Sequence, residues 1–222
     1  MRRVYDDELK TMHAQFTKMG LMVNENILLA VKAFINHDRE AADRVKKNDK
    51  AINNIELEIE EMCFKLIALQ QPVSSDLRSI VTVMKASSDL ERMGDHAVSI
   101  ARSVIRVKEL HNKRIPLVED KIADQAEIVK DMVEDSLDAY VRVDVDAAYR
   151  IAEDDTKVDD LFVAINKLCL KEMAKDAEVV PGGTDYIAVS GYLERIGDYV
   201  TNICEWIVYL KTGKVIELRM NP

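Results

Sequence analysis

Two cassettes, Glu91-x-x-x-Asp95 and Glu194-x-x-x-Asp198, carry paired carboxylates at the spacing that makes side chains neighbours on one face of a helix. Such a like-charged pair destabilises an isolated helix by about 0.2–0.5 kcal/mol. Each cassette also holds an interior glycine, Gly94 or Gly197, which costs about 0.8–1.0 kcal/mol relative to alanine. A chain that accepts both penalties twice gains something at those places. Two further pairs share the spacing of four: Asp49 with Asn53, and Asp155 with Asp159, the latter with no Lys or Arg three or four residues away. Asn202, four beyond Asp198, adds an amide oxygen, and its counterpart Ser99 adds a hydroxyl. If the helices bearing these pairs pack side by side, each set gathers several side-chain oxygens on one patch. Oxygen-rich, sulfur-free sets suit hard or borderline cations such as Mg, Mn or Fe. On a helical wheel Leu90, Met93, Ala97 and Ile100, and likewise Ile196, Val200, Ile203 and Ile207, form core stripes. The cassettes point away from them. A metal held there is expected at the surface, a setting for sensing or docking rather than for chemistry in a dry pocket.

The competing reading is a solvated acidic face, with Arg92 and Arg195, three residues before each Asp, absorbing part of the repulsion. Other chemistry fails on its motifs. Di-iron carboxylate bundles need Glu-x-x-His, which occurs at none of His13, His37, His96 and His111. His96 follows Asp95 directly, but Tyr199 stands at its equivalent place, which argues against a required ligand. Glycine-rich phosphate loops and nucleophile elbows are absent, and Gly182-Gly183 reads as a turn and cap. The ten methionines read as core filling, and Trp206, beside the Ile203–Ile207 stripe, as core.

The elements that must position these residues are helices. Ile52, Ile55, Ile59, Met62, Leu66 and Leu69 draw one apolar stripe with period 3.6. Similar patterning predicts six helices, roughly 3–36, 38–70, 75–111, 117–142, 144–175 and 184–212, the longer ones about 45 Å in length. Links this short force antiparallel neighbours. Ser74-Ser75-Asp76 and Pro181-Gly182-Gly183-Thr184 supply start signals for the third and sixth helices. The second half repeats the first. A shift of 106 places Asp38 on Asp144, Ala41 on Ala147, Asp49 on Asp155 and Cys63 on Cys169, and a shift of 103 places Leu90-Glu91-Arg92-Met93-Gly94-Asp95 on Leu193-Glu194-Arg195-Ile196-Gly197-Asp198. The expected architecture is all-α: two tandem, internally duplicated three-helix bundles, residues 1–112 and 113–222.

Composition agrees. The 222 residues are 48% hydrophobic and 32% charged with few glycines and prolines, which suits a packed helical domain and excludes turn-rich β folds. Acidic residues outnumber Lys and Arg 40 to 31, for a net charge of −9, so nucleic acid is not an expected partner. Cys63, Cys169 and Cys204 are too scattered for a zinc site and read as structural thiols of a reducing compartment. The opening residues turn acidic where a secretory signal turns apolar, and no stretch is apolar enough to span a bilayer. A cytoplasmic location is expected.

The chain resembles the PhoU family of phosphate-signalling proteins. The resemblance rests on Gln71-Pro72-Val73-Ser74-Ser75-Asp76-Leu77-Arg78, on Asp89 through Ala97, on Tyr192 through Asp198, and on the Asp49/Asn53 and Asp155/Asp159 pairs. It implies a twin three-helix bundle that binds metal clusters through its acidic motifs, with Asp49, Asn53, Glu91, Asp95, Asp155, Asp159, Glu194, Asp198 and Asn202 as candidate ligands. The expected ion is iron or another divalent transition metal such as zinc or manganese, with magnesium compatible. The resemblance further implies a non-enzymatic, homodimeric negative regulator of the phosphate regulon and of phosphate uptake. Such an adaptor links the phosphate ABC importer to a sensor histidine kinase, in peripheral association with the membrane. Ser99 departs from the pattern, where the family often has Asn. Two alternatives compete: a metal-dependent hydrolase or oxidase using the same carboxylates, and a metal-free helical scaffold.

Overall fold

The computed structural model describes residues 2–109 and 113–218. It holds six helices and, among the described residues, no strand: α1 (Arg2–Asn36), α2 (Arg39–Gln70), α3 (Ser74–Glu109), α4 (Pro116–Arg142), α5 (Val145–Lys175) and α6 (Val180–Thr212), with a 3₁₀ turn at Ala177–Val179 before α6. The expected end of the third helix at 110–111 and the expected junction at 112 lie outside the described residues.

The duplication extends to the backbone of the turns. At the end of α1, His37 is left-handed (φ 53°), its N–H bonds the Phe34 carbonyl and that of Asp38 bonds the Ala33 carbonyl. At the end of α4, Val143 (φ 51°) and Asp144 repeat the pattern on Tyr140 and Ala139. This two-bond closure satisfies the last helical carbonyls and reverses the chain at once. Asp38 and Asp144 then cap α2 and α5, each accepting from the N–H three residues on at 3.0 Å. For Val143, whose branched Cβ disfavours positive φ, the bonded closure holds the conformation.

Each unit folds as a three-helix bundle, and the two lie side by side with α3 against α6 and α1 against α4. Large side chains such as Phe16, Phe34, Ile52, Ile59, Leu90 and Ile100 are fully buried, each contributing about 1.5–3 kcal/mol relative to exposure. The three cysteines are buried free thiols. Among the described residues no helix is long and apolar enough to cross a membrane.

Two local expectations are corrected. Pro181-Gly182-Gly183 does not precede the sixth helix; it forms the first turn of α6. Proline is tolerated there because that N–H has no intrahelical acceptor. Gly183 is there for space, since a Cβ would run into the Met173 side chain of α5. Trp206 is only half-buried, and its indole N–H donates to Asp89 of α3 at 3.1 Å.

Candidate metal centre

The α2–α3 groove carries the first oxygen set and the α5–α6 groove the second. In the first, Asp95 is exposed, while Asp49, Asn53 and Glu91 are half-buried. Gly94 is why α2 and α3 approach closely here: a Cβ on it would lie 3.2 Å from Asp49 Oδ1. The carboxylate of one helix rests on bare backbone of the other. Asp49 Oδ1 and Asn53 Oδ1 are buried oxygens without a hydrogen-bond partner among the described residues.

The electrostatics show that these groups converge. Burial raises the Asp49 carboxyl above its ordinary range, the Asp95 charge adds to it, and Arg102 opposes both. Glu91 is raised by burial, then by Asp95 and Asp49, with Arg92 opposing. Glu56 joins them. Burial, then the charges of Glu91 and Glu60, push it up to about 7 from 4.5. Sequence reading missed Glu56, although 49, 53 and 56 step by four and three along one helix face. Among the described residues, no three or more His, Cys, Asp or Glu side chains are grouped so as to hold a metal ion.

Glu56 gives a pH prediction. With its folded pKa above its unfolded one, the folded chain keeps a proton that the unfolded chain has released. Its contribution is therefore fully present below about pH 4.5 and is lost as pH rises through about 7. His13 and His96, both lowered by burial, work in the opposite direction. The readout is therefore the difference between wild type and Glu56→Gln in urea midpoints at about pH 5 and about pH 8. Wild type should lose more than the variant on going to the higher pH; equal slopes contradict the assignment.

The second set is more enclosed than expected. Asp155 is only 8% exposed and accepts from Thr201 Oγ1 at 3.4 Å, and a Cβ on Gly197 would collide with its Oδ1. Glu194 and Asp198 are half-buried, and of the set Asp159 alone is exposed. The wheel misleads because α6 buries two faces. Besides Ile196, Val200, Ile203 and Ile207, it covers Gly197, Thr201, Cys204 and Val208 as it passes between its own bundle and α3. The amide of Asn202 is turned to the other unit, its Nδ2 lying 3.4 Å from Asp89 Oδ1. Ser99 spends its hydroxyl on the Asp95 carbonyl at 3.0 Å. His96 stacks against Tyr192 and Tyr199 of α6, at centroid distances of 5.7 and 5.8 Å, and Arg92 lies over the Tyr199 ring at 5.9 Å.

Glycine-cradled carboxylates thus recur at equivalent places in both units. A family model described as the PhoU domain matches residues 16–104 and 122–207, one match in each bundle. The chain belongs to the PhoU family. It is 38% identical over 218 residues to a phosphate-specific transport system accessory protein PhoU homolog of Clostridium acetobutylicum, covering 98% of both chains. It is 34% identical over 210 residues to the PhoU accessory protein of Escherichia coli, covering 95% of this chain and 86% of that one. Among solved structures, the phosphate transport system regulatory protein PhoU of Streptococcus pneumoniae matches with a TM-score of 0.88 at 35% identity, covering 96% of this chain and 99% of that one. PhoU of Pseudomonas aeruginosa matches with a TM-score of 0.89 at 32% identity, covering 95% and 100%. PhoU relatives are named as accessory and regulatory proteins of phosphate transport, and this chain is a PhoU-like accessory protein of that kind.

Proposed function

We propose that this protein is a non-enzymatic, cytoplasmic adaptor that represses the phosphate regulon and restrains phosphate uptake. On this reading it acts as a homodimer at the inner membrane face, between the phosphate ABC importer and a sensor histidine kinase, with divalent cations captured on its two acidic grooves. The observation that carries the cation part is the paired cradle: Asp49 over Gly94 and Asp155 over Gly197, each beside a Glu-x-x-x-Asp cassette. In the first groove, buried oxygens of Asp49 and Asn53 lack partners, and a cation beside them satisfies both. The donor set is all oxygen, which fits iron, manganese or magnesium, and zinc through its carboxylates. Asp49, Asn53, Glu91 and Asp95 would hold the ion in the first groove, and Asp155, Asp159, Glu194 and Asp198 in the second, the Asn202 amide being turned away to Asp89. A bound cation neutralises crowded carboxylates and ties α2 to α3 and α5 to α6, leaving exposed Asp95 and Asp159 at the rim where a partner docks.

The test replaces the chromosomal gene with a variant carrying Glu91→Gln, Asp95→Asn, Glu194→Gln and Asp198→Asn. Phosphate-starvation transcripts should rise in phosphate-rich medium while far-UV circular dichroism stays unchanged, and the purified variant should lose the near-stoichiometric Fe, Zn, Mn or Mg that wild type carries after reloading. Intact repression by the variant rules out the acidic grooves. Wild type devoid of metal after reloading rules out the cation. Unchanged repression after deleting the gene rules out the regulatory role itself.

A further inference from the structure

The seam between the bundles holds an open cleft of about 570 Å³, distinct from both acidic grooves and lined from four helices. α1 gives His13 and Ala14, α3 Ser79, α4 Tyr140 and Val141, and α6 Leu210 and Lys211. A volume of this order suits a metabolite-sized ligand, and mostly apolar walls with a few convergent polar groups are the usual make-up of such a site.

The polar groups are organised. His13 bridges two hydroxyls, its Nδ1 meeting the Tyr140 phenol and its Nε2 lying 2.9 Å from Ser79 Oγ. Burial lowers the His13 pKa and raises that of Tyr140, so imidazole and phenol are both neutral at pH 7. A neutral imidazole carries one N–H. The trio therefore has three hydrogens and two hydrogen bonds, and one hydroxyl hydrogen remains to donate, from Ser79 or from Tyr140. Both residues line the cleft, and the Lys211 side chain lies on its wall. A hydroxyl donor and a lysine on the wall of one largely apolar space suit an acidic group carried on an apolar body.

We propose that this cleft binds a small amphipathic anion, its carboxylate or phosphate taken by Lys211 and the hydroxyl of the His13 relay, its apolar part against Ala14, Val141 and Leu210. Because the walls come from both units, the ligand bridges the two bundles. The site owes nothing to the acidic grooves, so it stands or falls apart from cation binding and repression.

Isothermal titration of the full chain tests it, with octanoate and hexyl phosphate as probes and 1-octanol and inorganic phosphate as controls. At least one amphipathic anion should bind, and each control at least tenfold more weakly. Octanoate alone binding identifies the acidic group as a carboxylate, hexyl phosphate alone as a phosphate, and both as either. Lys211→Met should weaken binding at least tenfold. Ala14→Phe, at an exposed wall position where a larger side chain leaves the fold intact, should abolish it with circular dichroism unchanged. Neither anion binding, a control binding as tightly as the anions, or binding that survives both substitutions overturns the proposal.

Discussion

Replacing Arg114 by alanine should destabilise the fold by about 2–3 kcal/mol, although the residue belongs to neither acidic groove. Its guanidinium grips Glu119 with two bonds, Nε to Oε1 at 2.9 Å and a terminal nitrogen to Oε2 at 2.6 Å. The same terminal nitrogen reaches the Ile35 carbonyl at 2.6 Å. Glu119, at the start of α4, is 5% exposed and also accepts from the Tyr186 hydroxyl of α6, with His37 Nε2 at 4.0 Å. Tyr186 in turn meets Phe34 edge-on at 5.6 Å. One carboxylate thus joins the α1–α2 turn of the first bundle to α4 and α6 of the second. Removing Arg114 leaves that charge buried with only a phenol and a distant imidazole, which is how a severed buried pair becomes expensive. The effect stays at the lower end of the known range because the Arg114 side chain is 48% exposed and water takes part of its place. Arg114→Ala with Glu119→Gln should recover about half of the loss, since no charge is then stranded. Urea midpoints by circular dichroism decide it. A single variant within about 0.5 kcal/mol of wild type, or a double variant worse than the single, contradicts the account.

Arg114 and Glu119 also mark the boundary of what the sequence discloses. Helices and their duplication were readable because each is local: apolar spacing draws the stripes, and Asp38 and Asp144 recur at the same offset as the caps they become. The anomaly of Gly94 and Gly197 was readable too, as a penalty accepted twice. Its reason was not, because a glycine's value here depends on how near a second helix passes. The outward direction inferred for the cassettes holds for Asp95, while Glu91, Glu194 and Asp198 are half-buried. A wheel assigns one buried face per helix, and α6 has two. Asp89 carried no local signal at all; its partners Asn202 and Trp206 lie 113 and 117 residues away, and only the packing of α3 on α6 brings them together. Pro181-Gly182-Gly183 was misread for the same reason, its Gly183 answering to Met173 on another helix.

The two glycines separate propensity from packing, and the larger effect falls on Gly197. Alanine improves helix propensity equally at either place, by about 0.8–1.0 kcal/mol. At Gly94 the new methyl would approach Asp49 Oδ1 at 3.2 Å. Asp49 is half-buried and can swing toward solvent, so Gly94→Ala should be neutral or stabilising by up to about 1 kcal/mol. At Gly197 the methyl collides with Asp155 Oδ1, and Asp155, buried between α5 and α6 with Thr201 on its other oxygen, has no such escape. Either the carboxylate leaves its hydrogen bond or the helices part, and overpacking of this kind costs about 1–3 kcal/mol. Set against the propensity gain, Gly197→Ala should be destabilising, by up to about 2 kcal/mol. It should also weaken divalent-cation binding at the second groove only, because the first keeps its own cradle. Urea midpoints and cation titrations of both variants therefore have to differ in sign and in site. If both alanines stabilise alike and both grooves bind as before, the carboxylates do not need bare backbone beneath them, and the paired glycines lose their physical reason.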